Sequence, residues 1–490
     1  MKRFKLCLIY TVVSAFMVSC TKHLEDLNVI TKSPQDVSYT TLFSAAELRL
    51  VNQLTDADEN YNVFRLQSQY WTETTYVDEA NYNLNSRAIP DHIWAALYRD
   101  VLQDLERAKS LLPASADPTS ATSKNQLAII DVLEVFTYST LVNIYGNIPY
   151  SKALDINNVM PTYDDAATIY ADLFTRLDAD IAALSTSGEG FGSIDLIYGT
   201  TDAKLSNQVE LWKKFANSLK LRMALTVADV DGTAGQKAAE AAAGVFTSAA
   251  DNASFAYSTI PPNTNPVWVA LVQSGRHDFI GTNTLVDILN ALNDPRLPQF
   301  FTTVPGSDPA VYAGAPYGVK SVFTDWSGPS PKVEVKDREA LVLDYSEVEF
   351  YLAEAAARGY AVGGTPASHY NAGIKASILY WGGTEDDYAA YVAQPSVAYA
   401  TASVPNGWKG AIGTQSWIAH YNRGYEGWLS WRTLDFPLFN VPPNVDDYAD
   451  IPVRYTYPVT EQNLNKTNYN AAAAAIGGDA LSTKLFWDKF

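Results

Sequence analysis

The motifs that mark catalysis or metal binding are mostly absent from this chain. The five histidines, His23, His92, His277, His369 and His420, never fall at the helical spacing that places two imidazoles on one zinc ion. No glycine-rich loop ends in Lys-Ser or Lys-Thr to cradle a phosphate, and no Gly-x-Ser-x-Gly elbow presents a nucleophile. Gly188-Glu189-Gly190-Phe191-Gly192 reads as a flexible loop, since no strand-then-helix context frames it. Asp229-Val230-Asp231-Gly232 is a fragment of a calcium loop without the later glutamate. A helix end followed by a turn explains it equally well. A glycosidase needs two carboxylates flanking a sugar bond. Glu73 and Asp78 lie among aromatics, yet nothing marks them as an acid–base pair.

Binding chemistry is better represented. The chain has 30 Tyr and 11 Trp against 4 Met. Tyr and Trp join a flat apolar face to a polar tip, which suits ligands with both kinds of surface, sugars among them. Most of these rings are expected in the core. A formal net charge of −19 argues against nucleic acid or anionic lipid head groups as partners, since both require a basic surface. Neither a metal nor a cofactor is called for by any motif.

Cys20 is the third reactive group. Met1-Lys2-Arg3-Phe4-Lys5 is basic, residues 6–18 are largely apolar, and Ser19-Cys20 follows. That order matches a secretory signal, and the apolar run is short of the ~20 residues of a membrane-spanning helix. Met17-Val18-Ser19 before Cys20 resembles a bacterial lipoprotein signal, which implies that Cys20 is lipidated and that the chain is anchored. Only Cys7 and Cys20 are present, so removal of 1–19 leaves no partner for a disulfide.

These groups must be positioned by helices. Asp91 is placed to cap a helix running to Leu112 and stopping at Pro113. Ser123 with Gln126 predicts a capping box for a helix ending at Gly146, apolar on most faces and therefore deeply buried. Thr162 with Asp165 opens another, lined by Ile169, Leu173, Leu177, Ile181 and Leu184. Leu211, Phe215, Leu219, Met223 and Val227 line a fourth. A fifth runs from about Ser346 to Arg358, with a Glu354–Arg358 pair four residues apart. Shorter helices are expected near Asn283–Asn293, Pro366–Tyr380 and Gly424–Thr433. Lys332–Val335 and Ala340–Leu343 could form a β-hairpin. The fold class is mainly α, and paired helices could stack as a solenoid, although no literal repeat of about 34 residues is visible. The organisation expected is a signal at 1–19, a tether at 20–41 and one helical domain at 42–490. Its irregular stretch, about 246–342, is rich in Pro, Gly and aromatics and is the kind of segment that carries function on a rigid scaffold.

Several blocks in order resemble the SusD/RagB family of nutrient-binding outer-membrane lipoproteins, its SusD-like branch in particular. They are Leu24-Glu25-Asp26-Leu27-Asn28 after the cysteine, Leu141 to Leu154 with Gly146-Asn147-Ile148-Pro149-Tyr150, and Asn293-Asp294-Pro295-Arg296. Tyr345 to Ala355, Glu426-Gly427-Trp428-Leu429-Ser430-Trp431-Arg432, Ile451 to Pro458, Asn465 and Trp487-Asp488 complete the set. The resemblance implies a scaffold of degenerate tetratricopeptide-type hairpins and a non-enzymatic role. It also implies a place on the outer face of the outer membrane, beside a SusC-like TonB-dependent transporter that receives a captured glycan or, in some members, a peptide. Glu426, Trp428, Trp431, Arg432 and Arg296 are expected to pack and pair inside the scaffold.

By the same resemblance the ligand face draws on two segments. Residues 69–82 supply Trp71, Tyr76, Asn81 and Tyr82. The irregular stretch supplies Trp268, Arg276, His277, Asp278, Tyr312, Tyr317 and Trp326. Trp71, Trp268 and Trp326 are the candidate stacking platforms, with Asn81, Arg276 and Asp278 as hydroxyl partners. Glycan capture, peptide capture by the same architecture, and a surface glycoside hydrolase or purely structural lipoprotein remain as alternatives.

Overall fold

The computed structural model describes residues 37–403, 406–443 and 451–489. Cys20, the signal and most of the expected tether lie outside them. Tyr39–Phe490 is one compact unit, and Thr40 and Thr41 belong to its first helix rather than to a tether.

Helical hairpins dominate. Tyr39–Thr55 (α1) packs on Gln103–Ser115 (α2), Ala121–Tyr145 (α3) on Ala166–Ala183 (α4), and Gln208–Thr226 (α5) on Ala234–Ala242 (α6). Tyr345–Ala357 (α7) packs on Pro366–Tyr380 (α8), and Gly407–Ala419 (α9) on Gly424–Leu434 (α10). Helix α3 is long and apolar enough to cross a membrane, but 94% of its apolar window is buried inside the protein. Its all-round hydrophobicity therefore marks a core helix.

The expected helices are present, with shifted ends. Ser120, not Ser123, caps α3; its hydroxyl accepts the Ser123 N–H at 3.1 Å. Asp165 itself caps α4, accepting the Thr168 N–H at 2.9 Å. Asp91 caps no helix of its own. Its carboxylate accepts the N–H groups of Val459 and Thr460, 368 or more residues on, at 2.9 and 3.0 Å. The helix it was expected to start begins at Ile89, passes through a wide turn at Ala96–Leu102 and continues as α2 two residues beyond Pro113.

The expected hairpin is absent as such. Ala340–Leu343 (β4) pairs antiparallel with Ala253–Phe255 (β2), while Val333 closes a turn on the Ser330 carbonyl. Trp71–Glu73 (β1) pairs antiparallel with Phe279–Gly281 (β3), in the register Trp71↔Gly281, Thr72↔Ile280, Glu73↔Phe279. Both ladders join strands remote in sequence, so local turn chemistry could not have announced them.

The late blocks are structural, as expected. The Arg432 guanidinium lies 3.5 Å from the Trp428 ring centroid and donates to the Asn143 and Val453 carbonyls at 2.7 and 2.8 Å. Buried Arg296 donates to Asp294, Ser377 and Gln415. Asp229 and Asp231 use their carboxylates on Arg358 and Lys237, which gives that fragment a structural occupation.

Candidate ligand-binding site

The β1–β3 ladder carries the site. Beyond Glu73 the chain leaves the ladder, and Thr74 takes both sides of the junction. Its N–H donates to the Asp278 carbonyl at 2.8 Å, its hydroxyl to the His277 carbonyl at 2.8 Å, and its own carbonyl accepts the Ser321 N–H at 2.9 Å. Residues 74–76, 276–279 and 318–326 are thereby brought to one place. There Tyr76 is 59% exposed, and the His277 ring stacks on Phe323 at 4.4 Å and 29°. Trp326 follows half-buried on the next residues, and exposed Arg276 forms a two-toothed ion pair with Asp278, one contact at 3.0 Å. Trp268 is also half-buried, with the Lys336 ammonium 4.7 Å from its ring centroid.

An open cleft of about 420 Å³ adjoins this face, between the end of α1 with its following turn and the 262–279 segment. Arg276 and Asp278 belong to both. The cleft walls include Asn52, Asp58, Glu59 and Thr264. A larger cleft of about 530 Å³, lined by residues 186, 188–190, 192–193 and 205–210, has no aromatic wall and so no stacking platform.

Four of the nominated residues are not available to a ligand. Trp71, Asn81, Tyr82 and Tyr317 are buried. The Trp71 indole donates to the Tyr421 hydroxyl at 3.0 Å, and the Tyr317 hydroxyl to the Leu66 carbonyl at 2.8 Å. The Tyr82 and Tyr317 rings lie 6.0 Å apart. Asn81 donates to the carbonyls of Val77 and Gly318 at 2.7 and 2.8 Å, while the Gly318 N–H donates to the Thr72 hydroxyl at 3.0 Å. Gly318 sits at φ +71°, where an added Cβ would meet Pro442 at 2.5 Å, so glycine is required there. These residues are the floor that holds the 318–326 segment under the exposed rings. Both faces of the β1 strand are covered, so its alternation presents no outward side chain. We expect Tyr317→Phe to lower the unfolding free energy by about 1 kcal/mol, the loss of one buried hydrogen bond, measurable by urea titration.

The glycosidase candidates are separated by burial. Glu73 is buried, accepts the Ala80 N–H at 2.9 Å, and is pushed well up by burial and by the Glu79 carboxylate beside it. Asp78 is exposed. The two do not flank a common space that a sugar bond could enter.

Tyr61, 46% exposed and 5.0 Å from the His92 ring, and the Asp56–Asn60 turn were not singled out from the sequence. The signal was there: acids and amides crowd 56–62 around Tyr61, directly after a helix.

A helical-hairpin scaffold that offers exposed rings beside a polar cleft, with its acid pair split between core and solvent, has the architecture of a binding protein. The chain belongs to the SusD-like family: the family SusD-like_2, described as starch-binding and associating with the outer membrane, matches residues 31–458. A chitin-binding protein of solved structure superposes with a TM-score of 0.78 at 26% identity, covering 92% of this chain and 100% of its own. A chitin-binding SusD homologue from Flavobacterium johnsoniae gives 0.72 at 23% identity, over 92% and 97%. A SusD homologue from Parabacteroides distasonis gives 0.78 at 22%, over 92% and 97%. The last two share the fold. No curated protein sequence matches the chain. Glycan binding and an outer-membrane association are thus properties of the family.

Proposed function

We propose that this protein captures a poly- or oligosaccharide at the cell surface and passes it, uncleaved, to a SusC-like TonB-dependent outer-membrane transporter. Lipidated Cys20 would hold it to the outer membrane. The observation that carries the reading is the face on which Tyr76, the His277–Phe323 stack and Trp326 lie next to an open polar cleft, joined to it through Arg276 and Asp278. Flat rings can lie against the apolar faces of pyranose units, while Arg276, Asp278 and the cleft walls meet their hydroxyls. Family membership supplies the glycan class and the membrane setting.

Calorimetric titration of the protein against polysaccharides, oligosaccharides and mixed peptides tests this. A saturable sugar signal is expected, and Tyr76→Ala and Trp326→Ala should each weaken it about tenfold, ~1.4 kcal/mol, with the unfolding midpoint unchanged. Heat from peptides and none from sugars would transfer the reading to peptide capture. New reducing ends released from a bound polysaccharide would make the protein a hydrolase.

A further inference from the structure

The cleft beside the aromatic face carries more negative charge than a neutral sugar needs. Asp56, Asp58, Glu59 and Asp278 line it, and Arg276 is the one cationic residue in its wall. Arg276 is already bound through two contacts to Asp278. Two further arginines stand behind the wall. Arg65 donates to the backbone carbonyl of Asp56 at 2.6 Å, and Arg87, 3.9 Å from Glu59, is hydrogen-bonded to Glu79. Asp58 has no cationic partner among the described residues and Glu59 only the long Arg87 contact, so the two form an acidic edge with negative charge left over. Thr264 is a separate sign of a ligand site. It is only 4% exposed and lines the cleft, and its hydroxyl has no hydrogen-bond partner among the described residues.

We propose that this cleft selects a cationic glycan, an amino-sugar chain with free amines such as deacetylated chitin, over its neutral or anionic counterparts. The proposal rests on the glycan-capture reading and adds the charge of the substrate. A sugar ammonium would lie at the Asp58–Glu59 edge, a ring hydroxyl would meet Thr264, and the pyranose faces would run toward Tyr76. Uronic-acid or sulfated chains would be repelled by the same carboxylates. Because the edge is open to solvent, the preference should be screened by salt.

The test is titration of the protein, at mildly acidic pH where the sugar amine is charged, with three probes. These are a fully acetylated N-acetylglucosamine hexamer, the fully deacetylated hexamer and an oligogalacturonate. The deacetylated hexamer is expected to bind at least about tenfold more tightly than the acetylated one at low ionic strength, with that ratio collapsing toward one at about 0.5 M salt. The double variant Asp58→Asn, Glu59→Gln should bring the ratio close to one. In the wild type an Asp58 carboxylate oxygen accepts the Asn60 N–H at 2.9 Å. The amide of the Asp58→Asn change keeps an oxygen for that bond, so the turn is preserved. Equal affinity for the two hexamers, or binding of oligogalacturonate as tight as that of the amine, overturns amine selection while leaving glycan capture standing. Silence from all three, with heat from neutral polysaccharides, does the same. Silence from every sugar overturns both.

Discussion

Glu347→Ala is expected to lower the unfolding free energy by about 3–5 kcal/mol, the cost of leaving a buried charge without its partner. Glu347 is 1% exposed and takes Arg222 at 2.6 Å on one oxygen and Arg423 at 2.7 Å on the other. The Tyr351 hydroxyl donates to it at 3.0 Å. Burial alone would raise its pKa, but the two guanidinium groups more than offset that and hold it at about 2. Glu426, at 3.9 and 3.5 Å from the same arginines, and Asp344, at 3.0 Å from Arg423, complete the network. Arg222 lies on α5, Glu347 on α7 and Glu426 on α10, so three hairpins meet at one carboxylate. His420 stays neutral against them, its pKa pushed down to about 3, chiefly by burial. Without Glu347, two arginines would share Glu426 and Asp344 at poorer geometry. Urea titration of Glu347→Ala, Arg222→Met and the double variant measures this as a coupling energy. Apolar replacement of a whole buried pair is often nearly neutral, so the double variant should recover part of the loss. A single-variant loss below about 1 kcal/mol would mean that the network carries no such penalty.

The same contrast between local and remote partners explains what could be read from the sequence. Helix α8 runs from Pro366 to Tyr380 as expected because its start is encoded within one turn. Thr365 accepts the Ser368 N–H, Ser368 returns a bond to the Thr365 N–H, and Pro366 takes the first helical position. Asp91 misled for the opposite reason. Its local pattern is that of a cap, and its partners are at 459 and 460. The site divides along the same line. Tyr76 and Tyr82 sit six residues apart in one aromatic–amide segment, and nothing local separates them. What separates them is Tyr317, more than 230 residues later, which closes over Tyr82 and leaves Tyr76 in the open. Arg276 and Asp278, a charged pair two residues apart in the irregular stretch, bind each other and line the cleft.

Stability is expected to be highest at about pH 4 and to fall by at least about 3 kcal/mol by pH 9, a slope set by protons that the folded chain retains. Four buried carboxyl oxygens, Glu47 Oε1, Glu79 Oε2, Glu134 Oε1 and Asp180 Oδ2, are met by no N–H or hydroxyl donor among the described residues. Three of them belong to a carboxyl with a second one beside it, Glu47 with Asp195, Glu79 with Glu73 and Asp180 with Asp131, and the like charges oppose ionising both members. Asp195 accepts the Ile197 and Tyr198 N–H groups at 2.8 and 2.7 Å and the Trp212 indole at 2.6 Å, so it is the anion and Glu47 holds the proton. Burial, with the Asp195 charge behind it, pushes Glu47 well up. Arg176 and Lys109 face Asp131 and keep it ionised, with Glu134 beside them, while burial and the Asp131 charge push Asp180 up to about 9. In the third pair Glu73 is the raised member, and Arg87 pairs with Glu79. A group raised on folding stabilises fully below its unfolded value, about 4 for these acids, and loses that contribution as pH climbs through the folded value. The folded chain then binds more protons than the unfolded one, and stability declines with rising pH at up to about 1.4 kcal/mol per unit for each such group. On the acid side the ionised partners of arginine, Glu347 foremost, withdraw their contribution as pH falls from about 4 toward 2. Urea titrations at intervals across this range give the profile. Asp180→Asn, whose amide can donate to Asp131 without titrating, should flatten the alkaline limb, and Glu47→Gln should do the same at the other end of the scaffold. A wild-type profile that is level or rising from pH 5 to pH 9 would show that these pairs hold no proton, and their three oxygens would then need another partner.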